Sequence, residues 1–381
     1  MGLALYVHIP WCVRKCPYCD FNSHESRDIP EADYIAALLR DLEQDLEQDL
    51  LQQPFWAQGR EISSIFFGGG TPSLFSAASY DQLLQAIHQK IPIARQAEIT
   101  LEANPGTFEY EKFAGFRQAG INRLSIGVQS FADDKLAALG RIHNRDNAIR
   151  AIAAAHEVGF AKVNVDLMHG LPRQSVADAL ADLQQAIDLH PTHLSWYQLT
   201  IEPNTVFYRR PPTLPDDDAL GEIEDAGWAL LQQQGYQRYE TSAYAQPGFQ
   251  CKHNLNYWRF GDYLALGAGA HGKLTLADGR VLRYQKTRLP QDYLHPDKAF
   301  TAKQHVVAQP DLPFEFFMNA LRLMEPITKS LFSERTGLAL QTVEKPVAHA
   351  VAQGLLEDHP DHWRTTELGQ RFLNTLLNLF H

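Results

Sequence analysis

Six times between residues 5 and 234 a short apolar run is followed by an amphipathic one, and this alternation constrains the fold more than any other feature. The runs Leu5 to Ile9, Ile62 to Phe67, Ala97 to Glu102, Ile121 to Val128, Ala161 to Met168 and His193 to Thr200 read as buried strands. Helical periodicity fills the stretches 31–53, Tyr80 to Lys90, Glu109 to Ala119, Asp133 to Leu139 with Asn147 to Val158, Val176 to Leu189, and Asp217 to Gln234. In the first of these, Tyr34, Leu38, Leu42, Leu46 and Leu50 recur every four residues and acidic side chains and glutamines cover the rest. That pattern reads as the solvated outer helix of a barrel rather than a coiled coil. Strict strand–helix alternation predicts a parallel sheet with right-handed crossovers. Six units fall short of the eight in a closed barrel, so the expected fold is α/β, an open partial (β/α)6 barrel.

The remainder is patterned differently. Residues 1–235 form the expected barrel, 236–309 a strand-rich extension, and 310–381 a small α-rich domain. In that last part Phe314 to Leu323, Leu331 to Thr336, Thr342 to Leu356 and Gln370 to Phe380 read as helices. His362 to Thr366 reads as a wing strand, which makes the domain winged-helix-like. Residues 339–381 carry three basic side chains (Lys345, Arg364, Arg371) against five acidic ones, so packing or partner docking is expected there rather than DNA binding.

Over the whole chain 34 basic residues face 45 acidic ones, a net charge of −11, which also argues against a nucleic-acid surface. No basic segment followed by an apolar stretch opens the sequence, and no run of eighteen apolar residues occurs. A cytoplasmic protein is expected, with peripheral membrane attachment left open.

Of four cysteines, three lie within eight residues: Cys12, Cys16 and Cys19, in a loop directly after the first strand. A disulfide cannot use three thiols, and no fourth ligand stands at structural-zinc spacing, although His8 and His24 are close. Soft thiolates suit an iron–sulfur cluster, and three of them on a four-iron cluster leave one iron open to a small molecule.

The segment Tyr6-x-His8-Ile9-Pro10-x-Cys12-x3-Cys16-x2-Cys19 resembles the opening motif of the radical S-adenosylmethionine (SAM) family. It is most similar to the branch that holds oxygen-independent coproporphyrinogen III oxidase and a heme chaperone. The resemblance runs to about residue 270 and more weakly beyond. It implies a TIM-like radical SAM barrel and a [4Fe-4S] cluster on Cys12, Cys16 and Cys19. It also implies SAM on the open iron, from which reduction can release a 5′-deoxyadenosyl radical.

In parallel α/β folds ligands sit beyond the carboxyl ends of the strands. Gly69, Gly70 and Thr71 follow the second strand there, and Glu102 ends the third. Gln129 ends the fourth, Arg141 follows it, and Asp166 lies in the fifth. Buried polar groups of this kind need partners, and an Arg141–Asp166 ion pair is the structural alternative to a ligand. By the resemblance, Tyr6, Gly69, Gly70, Thr71, Glu102, Gln129, Arg141 and Asp166 surround SAM, and Tyr18 lies beside the cluster.

Two features separate the chain from the oxidase branch. Phe21 stands where that branch has a fourth cysteine, and only five residues precede Tyr6 where the oxidase has a long arm. In turn, His253-Asn254-x-x-Tyr257-Trp258 resembles a motif of the heme-chaperone branch. A neutral imidazole can ligate heme iron and aromatics can pack on a porphyrin, while the alternative is a core histidine beside packed rings. Gly267 to Gly272 is a second glycine-rich turn, with His271 in it. The expectation is a heme chaperone that passes heme to an acceptor protein, such as a respiratory heme enzyme at the membrane. Oxidative decarboxylation of coproporphyrinogen III, a step of porphyrin metabolism, is the alternative.

Overall fold

The computed structural model describes residues 2–47, 60–106 and 109–381. Strands β1 (Leu3–Ile9), β2 (Ile62–Gly69), β3 (Ile93–Ala103), β4 (Arg123–Gln129), β5 (Lys162–His169) and β6 (His193–Gln198) lie side by side, all parallel. They are buried on both faces, as parallel strands covered by crossover helices are; every residue of β4 is buried. The helices are α1 (Glu31–Glu47), α2 (Ala77–Lys90), α3 (Glu109–Gln118), α4 (Asp133–Ala138), α5 (Arg145–Val158), α6 (Val176–Asp188), α7 (Val206–Arg209) and α8 (Asp217–Gln233). Their boundaries carry local chemistry. Capping boxes Asn144/Asn147 and Ser175/Asp178 start α5 and α6, and left-handed Gly159 (φ +92°) ends α5. The predicted continuation of the first helix to residue 53, with Leu50, lies outside the described residues.

The sheet does not stop at six strands. Strands β7 (Gln237–Glu240), β8 (Ala243–Ala245), β9 (Tyr263–Leu266), β10 (His271–Thr275), β11 (Val281–Lys286) and β12 (Thr301–Val306) complete a twelve-stranded sheet in the order β12-β11-β10-β9-β1-β2-β3-β4-β5-β6-β8-β7. β9 is parallel to β1, with Ala4 opposite Tyr263, and β10 to β12 continue antiparallel. The predicted open (β/α)6 arrangement is therefore present, extended by a seventh parallel strand that no alternation announced.

The segment 236–309 expected to be strand-rich opens with β7 and β8, and helix α9 (Lys252–Trp258) follows before β9. Its aromatic residues favour strands by composition, but His253 and Tyr257 stand one helical turn apart and bond to each other. After α10 (Pro290–Leu294) come α11 (Leu312–Ala320), α12 (Lys329–Thr336) and α13 (Glu344–Ala352). They pack on the small antiparallel strands β13 (Ile327–Thr328), β14 (Leu356–Asp358) and β15 (His362–Thr365) around Phe317, Phe332, Trp363 and Phe380. The helix predicted for Thr342 to Leu356 stops early because Gly354 turns left-handed (φ +70°) and the chain enters β14.

Candidate functional site

Cys12, Cys16 and Cys19 are free thiols, each half-buried on the loop that leaves β1 at the carboxyl end of the sheet. Each sulfur has a polar hydrogen-bond partner at sulfur range. Thr71 Oγ1 donates to Cys12 Sγ (3.5 Å), Arg141 Nη1 donates to Cys16 Sγ (3.6 Å), and Ser23 Oγ lies 3.7 Å from Cys19 Sγ. Such donors are the outer contacts that tune thiolate ligands. Among the described residues no three His, Cys, Asp or Glu side chains converge tightly enough to hold one metal ion. A cluster does not need that convergence, because each thiolate ligates a different iron. The donor set, three soft sulfurs with hydroxyl and guanidinium support, fits a cluster.

The loop is held from beneath by His8 and from the side by Asn22. His8 Nε2 donates to the Asn22 carbonyl (2.9 Å), which leaves Nδ1 to accept from Tyr6 Oη at 2.9 Å. Burial lowers the His8 pKa to about 4, so the ring is neutral. Asn22 Nδ2 donates to the carbonyls of Ala268 (2.8 Å) and Arg288 (2.9 Å), joining the loop to the turn after β9. Tyr34 Oη donates to His8 O and accepts from Ala268 N, each at 2.8 Å. Sequence alone does not mark Asn22 and Tyr34 as site residues, because the partners of the Asn22 Nδ2 and of the Tyr34 hydroxyl lie 26 or more positions away.

The glycine motif serves packing as much as access. A Cβ on Gly69 would lie 2.5 Å from the His8 ring, and one on Gly70 2.5 Å from the Trp11 carbonyl. Gly69 also has φ +115° and donates its N–H to Glu102 Oε2 (3.1 Å). Glu102 keeps some surface toward the cavity, yet burial and the neighbouring Asp166 carboxylate raise its pKa to about 8. Asp166 accepts from Ser125 Oγ (3.0 Å) and Asn164 Nδ2 (2.8 Å), while burial holds its carboxyl above the ordinary range.

Arg141 does not reach Asp166. Its Nη2 donates to Asn104 Oδ1 (2.6 Å) and to the Gly127 carbonyl (2.8 Å), beside the contact with Cys16. The structural alternative of an Arg141–Asp166 pair is thus replaced by an arginine turned toward the cluster loop. Gln129 is left-handed (φ 71°), an uncommon conformation for a residue with a side chain, and accepts from Tyr197 Oη (2.8 Å). The turn is secured by Asp182 of α6, which accepts from Ser130 Oγ and Phe131 N, both at 2.6 Å. Tyr18 packs against Phe207 and lies near Arg141.

Two cavities flank the loop. One of about 190 Å3 is lined by Cys16, Thr71, Asn104 and Arg141. The other, about 570 Å3, has Tyr6, Gly69 and Glu102 at its inner end and Phe21, Tyr263, His271 and Arg288 toward its mouth. A third, about 600 Å3, lies against α3 and α5 at Arg117 and Glu157, remote from these groups.

The His-Asn-x-x-Tyr-Trp motif does not form one surface. His253 is 1% exposed, with Nδ1 3.1 Å from Ser64 Oγ and Nε2 2.8 Å from Tyr257 Oη. Its ring lies 5.1 Å from that of Phe66, and burial lowers its pKa to about 3. His253, expected to contribute to heme binding, has both ring nitrogens engaged inside the barrel. Tyr257 lines the larger cavity, while Trp258 lies under the Arg322 guanidinium (4.4 Å) and, like Asn254, lines neither cavity beside the loop.

Residues 6–186 match the Radical SAM superfamily, and residues 307–372 match the HemN C-terminal domain. Membership of that superfamily brings a [4Fe-4S] cluster and SAM as cofactors. The fold is similar to that of coproporphyrinogen III oxidase (HemN) from Escherichia coli, with a TM-score of 0.82 and 22% identity, covering 100% of this chain and 90% of that one. Heme chaperone HemW of Escherichia coli (strain K12) is 54% identical over 379 residues, 99% of this chain and 98% of its own. Heme chaperone HemW of Haemophilus influenzae is 56% identical over 379 residues, 99% of this chain and 97% of its own. The chain therefore belongs to the radical SAM superfamily and, within it, to the family of the heme chaperones called HemW.

Proposed function

We propose that the protein is a heme chaperone: it binds heme and releases it to an acceptor protein, a respiratory heme enzyme at the membrane being the candidate. The observation that carries this reading is the identity of more than half the residues, along 99% of the chain, with proteins named for that function. Phe21 beside the thiols, at the mouth of an open cavity, supports it further. Among the described residues no helix is long and apolar enough to cross a membrane, and a cytoplasmic location is proposed, with membrane contact made through the acceptor.

Cys12, Cys16 and Cys19 hold the cluster in this reading, with Thr71, Arg141 and Ser23 bonding to the sulfurs. SAM lies against Tyr6, Gly69, Gly70, Thr71 and Glu102, with Gln129, Arg141, Asp166 and Tyr18 completing its surroundings. A cluster held by Cys12, Cys16 and Cys19 would supply one-electron chemistry toward a bound SAM. The chain's own residues orient: Glu102 offers a carboxyl where a cationic amino group binds, and His8 keeps the loop in register through neutral hydrogen bonds.

The test is an anaerobic heme titration of the cluster-reconstituted protein followed in the Soret band. Saturation at a defined stoichiometry is the expected result. A linear, unsaturable response contradicts the reading, and turnover of coproporphyrinogen III then becomes the assay.

A further inference from the structure

A heme carrier needs an accessible ligand for iron, and two of the histidines around the loop and larger cavity have both ring nitrogens committed. His8 uses both ring atoms, on Tyr6 and Asn22. His253 is buried and uses both, on Ser64 and Tyr257. His24 has Nε2 3.2 Å from Asn22 Oδ1 and does not line the cavity. His271 differs. It is exposed at the start of β10, lines the cavity mouth, and its ring has no hydrogen-bond partner among the described residues.

Its surroundings suit an amphipathic macrocycle. Phe21 is 64% exposed on the same cavity, an isolated ring with nothing packed over most of its surface. Tyr257 and Tyr263 form an edge-on pair, centroids 4.4 Å apart, along the wall. Arg288 is exposed on the rim, and among the described residues its guanidinium bonds only through Nε, at 3.3 Å from Asn22 Oδ1. The cavity, at about 570 Å3, lies within the range of roughly 300–1,000 Å3 usual for ligand pockets. Iron ligand, aromatic ring and carboxylate-binding cation thus share one opening.

We propose that heme sits at this mouth with His271 as its iron ligand, Phe21 against the macrocycle and Arg288 pairing with a propionate. This rests on the heme-chaperone reading and moves the ligand from the buried His-Asn-x-x-Tyr-Trp helix to the glycine-rich turn. Gly269 contributes by closeness: its Cβ would lie 2.3 Å from Asn22 Nδ2, so the turn carrying His271 can approach the loop only without a side chain there.

The experiment compares anaerobic heme titrations of wild type, His271→Ala, His271→Gln and Arg288→Ala, each checked for melting temperature and iron content. Both His271 variants are expected to shift the Soret maximum and to weaken binding by about tenfold or more. Added imidazole should return the maximum of His271→Ala toward the wild-type position. Arg288→Ala should weaken binding while leaving the maximum in place. Wild-type Soret position and affinity in both His271 variants would overturn the assignment and leave heme binding itself standing. Failure of the wild type to saturate would instead overturn the chaperone reading, and the assignment with it. His271 is exposed, so a variant that folds like the wild type is expected; His271→Gln keeps the position polar as a second guard.

Discussion

At the scale of single residues, Glu102 carries the sharpest consequence. Its carboxyl, raised to about 8 against an ordinary 4.5, favours the protonated form in the ligand-free fold. The stability this contributes is full below about pH 4.5 and is lost as pH rises through about 8. The melting temperature of the ligand-free protein should therefore fall between roughly pH 4.5 and 8 and level off above that, and Glu102→Gln should flatten that fall. A cation bound beside the carboxyl reverses the preference. SAM binding near pH 7 should then release protons, seen by calorimetry as a dependence on buffer ionisation enthalpy that Glu102→Gln removes. Replacing Cys16 by Ala should abolish the broad iron–sulfur absorbance after anaerobic reconstitution, with iron and sulfide content as the check. The thiols were legible because three soft ligands within eight residues have few other uses. Asn104, Asn22 and Asp182 were not, because a lone polar residue reveals nothing until its partner is known, and theirs lie 37, 246 and 52 positions away.

Between elements, buried charge fastens α1 to the sheet. Lys286 of β11, wholly buried, lies 2.5 Å from Asp41 and 2.6 Å from Asp45. Tyr293 Oη also donates to Asp41, at 2.5 Å. Lys286→Met would leave two carboxyls facing each other without a cation, and Asp45 already has a pKa raised to about 7 by burial. A loss of roughly 3–5 kcal/mol in denaturant unfolding is expected. Asn22→Ala tests a different tie. Losing the bonds to Ala268 and Arg288 should leave melting nearly unchanged but make the reconstituted cluster bleach faster in air. The six barrel strands were readable because strands buried on both faces are continuous apolar runs. The helix at 252–258 was not. Seven residues hold barely two turns, and tertiary bonds from His253 to Ser64 and Tyr257 fix what propensity left open.

For the whole molecule, the α-rich C-terminal part shares apolar core with the extension rather than hanging from it. Phe260 packs edge-on against Phe316, and Arg322 lies over Trp258 while reaching Glu240 at 3.5 Å. A single calorimetric transition is expected for the ligand-free chain, and two well-separated peaks would contradict that coupling. Alternation could not foretell β9, because no helix-crossover pattern of its own marks it; its parallel place beside β1 depends on a chain return of some 260 residues. The clamp from Asn22 to Ala268 spans 246 positions in the same way. During synthesis at roughly 5–20 residues per second, on the order of ten to fifty seconds pass between the emergence of the thiols and that of the turn that secures them. The nascent chain thus presents a loose, reactive metal-binding tail throughout most of its translation. Iron and sulfide arriving before that turn has emerged would meet an unformed cradle, so loading belongs after the turn has closed on the loop.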